Sequence, residues 1–112
     1  MKRRFLKTRD MIDAAVIRLR FETQIPITVL AREPMLMPSG REVRPSAQTL
    51  LRWGTEGAGT ASGRVYLDLA FRRGAATWFT SREAVDRFLR ELADRQRAEM
   101  IAGRESLQPA AA

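Results

Sequence analysis

The sequence predicts a mainly α-helical domain that carries one small antiparallel β-hairpin. Apolar residues recur at helical spacing near both ends of the chain and again after Pro45. Residues 65–71 alternate between large apolar side chains and others, which is typical of a half-buried strand. A glycine-containing turn leads from them into a second short strand. The 112 residues suffice for one domain with short tails.

The first helix is expected over residues 8–20, where Ile12, Val16 and Leu19 recur at helical spacing. Such a helix either packs on the body of the domain, or it docks onto a neighbouring copy or lies along phosphate. If it docks onto a copy, the candidate oligomer contacts are these three residues, together with Met100 and Ile101 near the far end of the last helix.

Three parts of the chain follow from this interpretation. Residues 1–24 form an N-terminal arm and helix, and residues 25–102 form the main domain. Residues 103–112 have little to bury and are expected to be a disordered tail. The arm begins with basic residues, namely Lys2, Arg3, Arg4, Lys7 and Arg9.

The main domain is expected to open with a short or broken helix that starts at Thr28. Pro34 prevents a longer helix, because an interior proline loses a hydrogen bond and clashes with the preceding turn. Residues 39–42 then form a turn.

A second helix of the main domain is expected after Ser46, whose hydroxyl caps a helix N-terminus. Leu50 and Trp53 lie three residues apart and face the core. Gly54 and Gly57 end the helix, since glycine tolerates a left-handed turn. The opposite side presents Ala47, Gln48, Leu51, Arg52 and Thr55.

A loop over residues 57–63 precedes the predicted hairpin. The strand over 65–71 turns its apolar members inward, a turn occupies residues 72–75, and the return strand covers 76–79. The inward side chains of the first strand are Val65, Leu67, Leu69 and Phe71.

The last helix is expected to begin at a capping box made of Thr80 and Glu83. It continues to about Ala102, where Gly103 stops it. One face is apolar and is expected to cover the core with Ala84, Val85, Phe88, Leu89 and Leu92.

Composition narrows the function. The chain holds 20 Lys+Arg against 13 Asp+Glu, and it contains neither His nor Cys. The chain therefore lacks the commonest general base and can form neither disulfides nor thiolates. The spacing of its carboxylates from arginines predicts ordinary surface ion pairs. We expect no enzyme, no cofactor and no metal site. No apolar run has the length of a membrane span and no signal peptide is recognisable, which favours a cytoplasmic, nucleoid-associated protein.

The positive charge is concentrated in two blocks. Residues 1–20 hold seven basic and two acidic residues, and residues 41–82 hold seven basic and three acidic residues. Arginine dominates both blocks, and its flat guanidinium suits phosphates and guanine edges.

The order helix, short helix, turn, helix, hairpin, helix predicts a winged helix-turn-helix with an added N-terminal helix. The helix after Ser46 would enter the DNA major groove, where Gln48 reads adenine and Arg52 reads guanine. Ser46 with Thr49 or Thr55 would bond phosphate, and Arg72 and Arg73 at the wing would lie in or beside the minor groove. The expected DNA-binding set is Arg44, Ser46, Ala47, Gln48, Thr49, Leu51, Arg52, Arg72 and Arg73.

Two stretches, SAQTLLRW and WFTSREAVDRFL, together with the hairpin between them, resemble the excisionase-type, MerR-like winged-helix family. The resemblance covers residues 27–90. It implies that Ser46, Ala47, Gln48, Leu51 and Arg52 face DNA, with Trp53, Trp78, Phe79 and Phe88 in the core. It also implies a recombination directionality factor that binds tandem sites, bends DNA and helps an integrase excise a mobile element.

Simpler interpretations stay open beside these. Arg52 is also consistent with an ordinary solvated helix face, and Arg72–Arg73 with an ordinary polar hairpin tip. At the level of function, the chain is a DNA-binding excision factor, a transcription regulator, or a protein-interaction module whose basic arm binds an acidic partner or anionic lipid. Duplex DNA and further copies of the chain are the expected partners, an integrase is a further one, and a membrane is not.

Overall fold

A computed structural model describes residues 8–107, with side chains as far as Arg104. The basic residues at positions 2–4 and 7 and the last five residues of the predicted tail therefore lie outside the described residues. Over the described range the chain forms four helices and small antiparallel sheets, a mixed α/β arrangement. The helices are α1 (Arg9–Arg20), α2 (Ile27–Leu30), α3 (Ala47–Thr55) and α4 (Arg82–Leu107).

The strands are short and form three separate sheets. Strand β1 (Ile25–Pro26) pairs with β7 (Thr77–Thr80), which also pairs with β6 (Ala70–Arg72). Strands β2 (Met35–Leu36) and β3 (Glu42–Val43) make one small hairpin, and β4 (Ala58–Thr60) and β5 (Gly63–Val65) make another. The prediction of a single hairpin was therefore too simple.

Helix α1 is part of the body of the domain. Thr8 caps it by accepting a hydrogen bond from the Met11 N–H. Ala15 and Leu19 are fully buried, and Leu19 belongs to the main core. That core also contains residues from α2, α3, the chain between β5 and β6, and α4, so the helix packs on the domain as the first of the two interpretations proposed.

The short helix before Pro34 was predicted within one residue, since α2 covers Ile27–Leu30. Its connection to α3 is held by the backbone. The Arg32 N–H donates to the carbonyl of Pro45 at 3.0 Å, and Arg32 itself has a φ of 74°, in the left-handed region. This bond closes a loop over residues 33–45. Within the loop, β2 and β3 form a hairpin rather than the simple turn that was expected.

Helix α3 begins as predicted, with Ser46 accepting a hydrogen bond from the Thr49 N–H at 3.2 Å. It does not end at Gly54, which lies inside the helix and is buried. Gly57 does follow the helix end with a φ of 78°, and its N–H donates to the carbonyl of Arg52 at 3.0 Å.

Residues 57–63 are not the irregular loop that was expected, because most of them belong to the β4–β5 hairpin. The long strand over 65–71 is also wrong in part: only its two ends are paired in sheets. Between them the Leu67 N–H donates to the carbonyl of Trp53 at 3.0 Å, so this stretch is bonded to the end of α3.

The hairpin of β6 and β7 was predicted, but its turn lies one residue later, at residues 73–76. Phe79 is buried, whereas Trp78 is only partly buried. Phe71 is half-exposed rather than inward, because residues 65–71 are not one continuous strand; it lies in the middle of β6, where its ring contacts that of Trp78 with centroids 5.1 Å apart.

The predicted capping box of α4 is wrong by one residue. Ser81 caps the helix by accepting a hydrogen bond from the Ala84 N–H at 2.9 Å. The Thr80 hydroxyl is engaged elsewhere, since it donates to the carbonyl of Asp68 at 2.7 Å. The helix also passes through Gly103 and ends at Leu107, so the stop at Gly103 is wrong. Its predicted apolar face is buried, apart from the partly buried Leu89.

None of the helices in the described range is both long and apolar enough to cross a bilayer.

Candidate nucleic-acid interface

Helix α3 is anchored to the domain along one face. Leu50 is fully buried. Gly54 lies so close to the chain before β6 that a methyl group there would meet the Leu69 Cδ1 atom at 2.0 Å. The Trp53 ring stacks on Phe88 of α4 with centroids 5.0 Å apart. These contacts fix both the position of α3 and its rotation about its own axis.

The opposite face of α3 meets solvent. Gln48 and Arg52, four residues apart, are both exposed, as is Arg44 just before the helix. Ala47, Thr49 and Leu51 are partly buried along the flanks. The structure therefore places Gln48 and Arg52 together at the centre of the exposed face, whereas the predicted contacts Ala47 and Leu51 pack against the hydrophobic core.

The three hydroxyls predicted to bond phosphate, those of Ser46, Thr49 and Thr55, already have partners within the domain. Ser46 caps α3, and its hydroxyl also lies 3.1 Å from the Thr49 hydroxyl. The Thr55 hydroxyl donates to the carbonyl of Leu51 at 2.9 Å. Each hydroxyl oxygen can still accept a further hydrogen bond, but these hydroxyls already serve the local structure of the helix. The main candidates for contacts with DNA on this face are therefore Arg44, Gln48 and Arg52.

Arg52 is not isolated on the outer face. Its Nε lies 3.8 Å from Glu56 Oε2, one helical turn onward, and both side chains are more than half exposed. An exposed pair of this kind contributes about 0.3–0.5 kcal/mol in a helix. An interaction this weak leaves the guanidinium available to a stronger partner.

The two arginines predicted at the wing differ in their surroundings. Arg72 lies in β6, not in the turn, and its Nη2 donates to Gln24 Oε1 at 2.7 Å. Its guanidinium also covers the Phe79 ring at 4.6 Å from the centroid. Arg73 is an exposed residue of the turn itself.

The base of the wing adjoins the inner side of α3. Leu69 packs against Gly54, and β6 begins at the very next residue, Ala70. Two segments that are separated in the sequence by the β4–β5 hairpin and a short irregular stretch are therefore in direct contact.

Two other arginines form ion pairs within the domain. Arg18 Nε and Nη2 donate to the two Asp68 carboxylate oxygens at 2.7 and 2.6 Å. Arg87 donates to Asp68 at 2.9 Å and to Glu22 with both terminal nitrogens. We refer to these four residues, Arg18, Glu22, Asp68 and Arg87, as the ion-pair cluster.

The ion-pair cluster shifts the pKa values of its members in the directions expected for satisfied charges. Burial on its own raises the pKa of Asp68, but hydrogen bonds from Arg18 and Arg87 outweigh it and hold that pKa below its ordinary value. Arg87, and to a smaller extent Ser81, lower the pKa of Glu22 through hydrogen bonds. The carboxylates raise the pKa values of both arginines, so all four groups are charged at neutral pH.

The candidate oligomer contacts on α1 are not equivalent. Leu19 is fully buried in the core and has no surface to offer a neighbour. Ile12 is 43% exposed and Val16 is partly buried. Met100 and Ile101, toward the far end of α4, are exposed.

An apolar groove of 560 Å³ runs between the β2–β3 hairpin and α4. Leu36 and Met37 form part of one wall, and Val85 and Leu89 form part of the other. No cluster of acidic residues within the described range is arranged to hold a metal ion.

Neither a protein-family model, nor a curated protein, nor a solved structure matches the chain.

Among the residues with a part in this site, the sequence missed Gln24 and Asp68. Gln24 carries no sequence signal of its own, because its partner Arg72 is 48 positions away. Asp68 did carry one: a carboxylate within an apolar alternating run is costly to bury unless a cation pairs with it.

Proposed function

We propose that this chain is a sequence-specific double-stranded DNA-binding protein of the winged helix-turn-helix type, with α3 as the helix that enters the major groove. The observation that carries the proposal is the two-sidedness of α3. One face is fixed by Leu50, Gly54 and Trp53, while the other exposes Gln48 and Arg52 side by side.

The chemistry of that outer face suits base edges. A guanidinium binds guanine O6 and N7 with two hydrogen bonds, and a carboxamide binds adenine N7 and N6 in the same way. Arg44, exposed just before the helix, is placed to neutralise a phosphate beside the groove. Because α3 is held against the core, its backbone would lose little order on binding DNA.

Two further features support the winged-helix interpretation. Helix α2 is connected to α3 through the hydrogen bond from Arg32 to Pro45, as in a helix-turn-helix pair with a widened turn. The β6–β7 hairpin follows directly after Leu69, which packs against Gly54 of α3, and it carries Arg72 and Arg73. In this proposal the hairpin is the wing, and its arginines lie at the minor groove or its phosphates.

The biological role that we propose is that of an excisionase, a recombination directionality factor. It rests on the resemblance of residues 27–90 to that family. Copies would bind tandem sites, bend the DNA and assist an integrase. A transcription regulator would use the same surface, and an excision assay with the cognate integrase separates the two roles.

A protein-interaction module is the second candidate, and the apolar groove beside α4 favours it. Leu36 is 67% exposed at the edge of this groove, and methionines are adaptable contact residues. On that alternative the outer face of α3 would not bind DNA.

A gel-shift titration with random-sequence duplex DNA tests the proposal, with the wild type compared at about 50 and 200 mM salt. We expect salt-sensitive complexes, and an Arg52→Ala variant that loses about 1–3 kcal/mol of binding free energy on a selected site. Arg90→Ala is the matched control. Arg90 is also an exposed helical arginine with an acidic partner four residues away, but it lies on α4.

The outcomes divide cleanly. Equal losses for Arg52→Ala and Arg90→Ala would show that only net charge matters, and α3 would lose its assigned role. Absence of any complex at low salt would overturn DNA binding altogether and leave the protein-interaction module.

Self-association on tandem sites requires a test that spares the fold. Deleting residues 1–24 would remove Leu19 and two members of the ion-pair cluster, so point substitution is preferable. Ile12→Gln and Met100→Gln are expected to weaken cooperative filling of a two-site fragment while single-site affinity is kept. Unchanged cooperativity in both would exclude these contacts.

A further inference from the structure

Gln24 lies between α1 and β1, outside the segment that the sequence assigns to DNA, yet it contacts the wing. Its Oε1 accepts a hydrogen bond from Arg72 Nη2 at 2.7 Å. Its Nε2 donates to the carbonyl of Leu19 at 3.1 Å, near the end of α1. One amide thus bridges the N-terminal helix and a candidate DNA-binding arginine.

The two bonds fix the amide in one orientation. Turning the amide over would place its NH₂ group against the guanidinium and its oxygen against the Leu19 carbonyl, and both contacts would repel. Leu19 itself is fully buried. The Gln24 amide that accepts the hydrogen bond from Arg72 is therefore bonded directly to the backbone of a core residue.

Arg72 is restrained from a second direction as well. Its guanidinium lies over the Phe79 ring, and Phe79 is buried in the neighbouring strand β7. A hydrogen bond at one edge and an aromatic ring beneath one face define a direction for the side chain. Arg73, one residue further on, is exposed in the turn.

We infer that Gln24 is a positioning residue that holds Arg72 in a fixed direction on the wing, so that the N-terminal helix sets the geometry of the DNA interface. This inference rests on the proposed function for its consequence. Because Gln24 is neutral, it orients the guanidinium without cancelling its charge. Holding a long side chain in place before binding removes part of the ordering cost of the complex.

A double-mutant cycle on DNA binding tests this. Gln24→Ala should weaken binding of the wild type by about 2- to 12-fold, the factor expected for ordering one flexible side chain. The same substitution should have no effect in an Arg72→Ala background, because the group that it positions is gone. In an Arg73→Ala background the full loss should reappear, which makes Arg73 the matched control.

Gln24→Glu supplies a signature that a purely structural role would not produce. A carboxylate would still accept the hydrogen bond from Arg72 and would pair with its charge, although it would lose the bond that the Gln24 amide donates to the Leu19 carbonyl. We expect weaker binding than for Gln24→Ala, together with a salt dependence reduced by about one phosphate contact. Gln24→Ala should leave the salt dependence unchanged.

A measurement without DNA separates this inference from the proposed function. Relaxation of the Arg72 Nε–H group by NMR should show greater order than that of Arg73 in the wild type, and an order lowered toward that of Arg73 in Gln24→Ala. Equal order already in the wild type, or a Gln24→Ala loss of affinity that persists in the Arg72→Ala background, would overturn the positioning role while DNA binding stands. A wild type that is ordered at Arg72 but binds no DNA would overturn the proposed function and the consequence drawn for the interface.

Discussion

The ion-pair cluster and the outer face of α3 use the same residue type for opposite purposes. In the cluster, Arg18 and Arg87 share an aspartate that is 8% exposed; Arg18 donates two hydrogen bonds to carboxylates and Arg87 donates three. On α3, Arg52 has only a loose, exposed pair with Glu56 at 3.8 Å. Arg18 and Arg87 are therefore less available to a polyanion than Arg52 is. Where the carboxylates lie, rather than how many arginines there are, decides which surface is basic.

The largest effect is expected from breaking the cluster. Asp68→Ala would leave Arg18 and Arg87 without their shared partner, and we expect a loss of about 3 kcal/mol in the free energy of unfolding. The value is at the low end for buried pairs, because both arginines are partly exposed. Urea denaturation measures it, with Asp13→Ala as the control. Asp13 pairs with Arg9 on the surface, and its loss should stay within about 0.5 kcal/mol.

The anchored face of α3 is expected to be almost as sensitive, for a steric reason. A Cβ at residue 54 would lie 2.0 Å from Leu69 Cδ1 and 3.3 Å from the Leu67 carbonyl oxygen. Gly54→Ala should cost about 1–3 kcal/mol by overpacking, although alanine favours helices. Gly59→Ala is the matched control, because a Cβ there meets no atom within 4 Å. Equal stabilities for the two variants would mean that α3 is not held tightly.

Acid should destabilise the fold through the ion-pair cluster. Because the folded-state pKa values of Asp68 and Glu22 are lowered, their contribution is complete above the unfolded values, near 4, and is lost as pH falls through the folded ones. Stability should thus be flat at neutral pH and decline below about pH 5. Glu22→Gln should show a shallower decline in denaturation curves taken across this range. An identical decline would show that Glu22 does not contribute to the pH dependence of stability.

A smaller effect should come from the start of α4. Ser81 caps the helix and also donates to Glu22 Oε1 at 2.6 Å, so Ser81→Ala should cost about 1 kcal/mol. Glu83→Ala, at an exposed residue, should change stability by less than about 0.5 kcal/mol. Thermal melts of the two variants measure the difference. The reverse order would restore the capping box that the sequence suggested.

The smallest effect on stability is expected on the outer face of α3. Arg52→Ala should shift the free energy of unfolding by no more than about 0.5 kcal/mol, because only an exposed pair is lost. If the same Arg52→Ala variant also binds DNA more weakly, Arg52 acts in binding and not in stabilising the fold. A variant that is destabilised by several times this amount would instead place Arg52 among the structural arginines.

Local signals in the sequence were sufficient to predict the helices and the position of α3. Ser46 marks the start of α3, and the apolar spacing of Ala84, Val85 and Phe88 identifies the buried face of α4. These features depend on residues a few positions apart. The exposed pair Gln48 and Arg52 was predictable for the same reason.

What the sequence did not reveal depends on distant partners. Thr80 and Ser81 are adjacent hydroxyl residues, and the choice between them as cap is decided by the bond from Thr80 to the Asp68 carbonyl. Asp68 is buried only because Arg18, 50 residues earlier, and Arg87, 19 residues later, meet it. Gly54 was expected to end the helix, but it lies inside α3, where the lack of a side chain makes room for Leu69. No window of local sequence contains these pairs.

The bond between Glu22 and Arg87 spans 65 residues and therefore has a consequence for synthesis. At about 5–20 residues per second, a ribosome adds the later partner roughly 3 to 13 s after the earlier one. Helix α1 is made first but cannot be locked in place until the start of α4 has left the ribosome. The domain thus closes late and as one unit, and until then the apolar face of α1 remains open to chaperones.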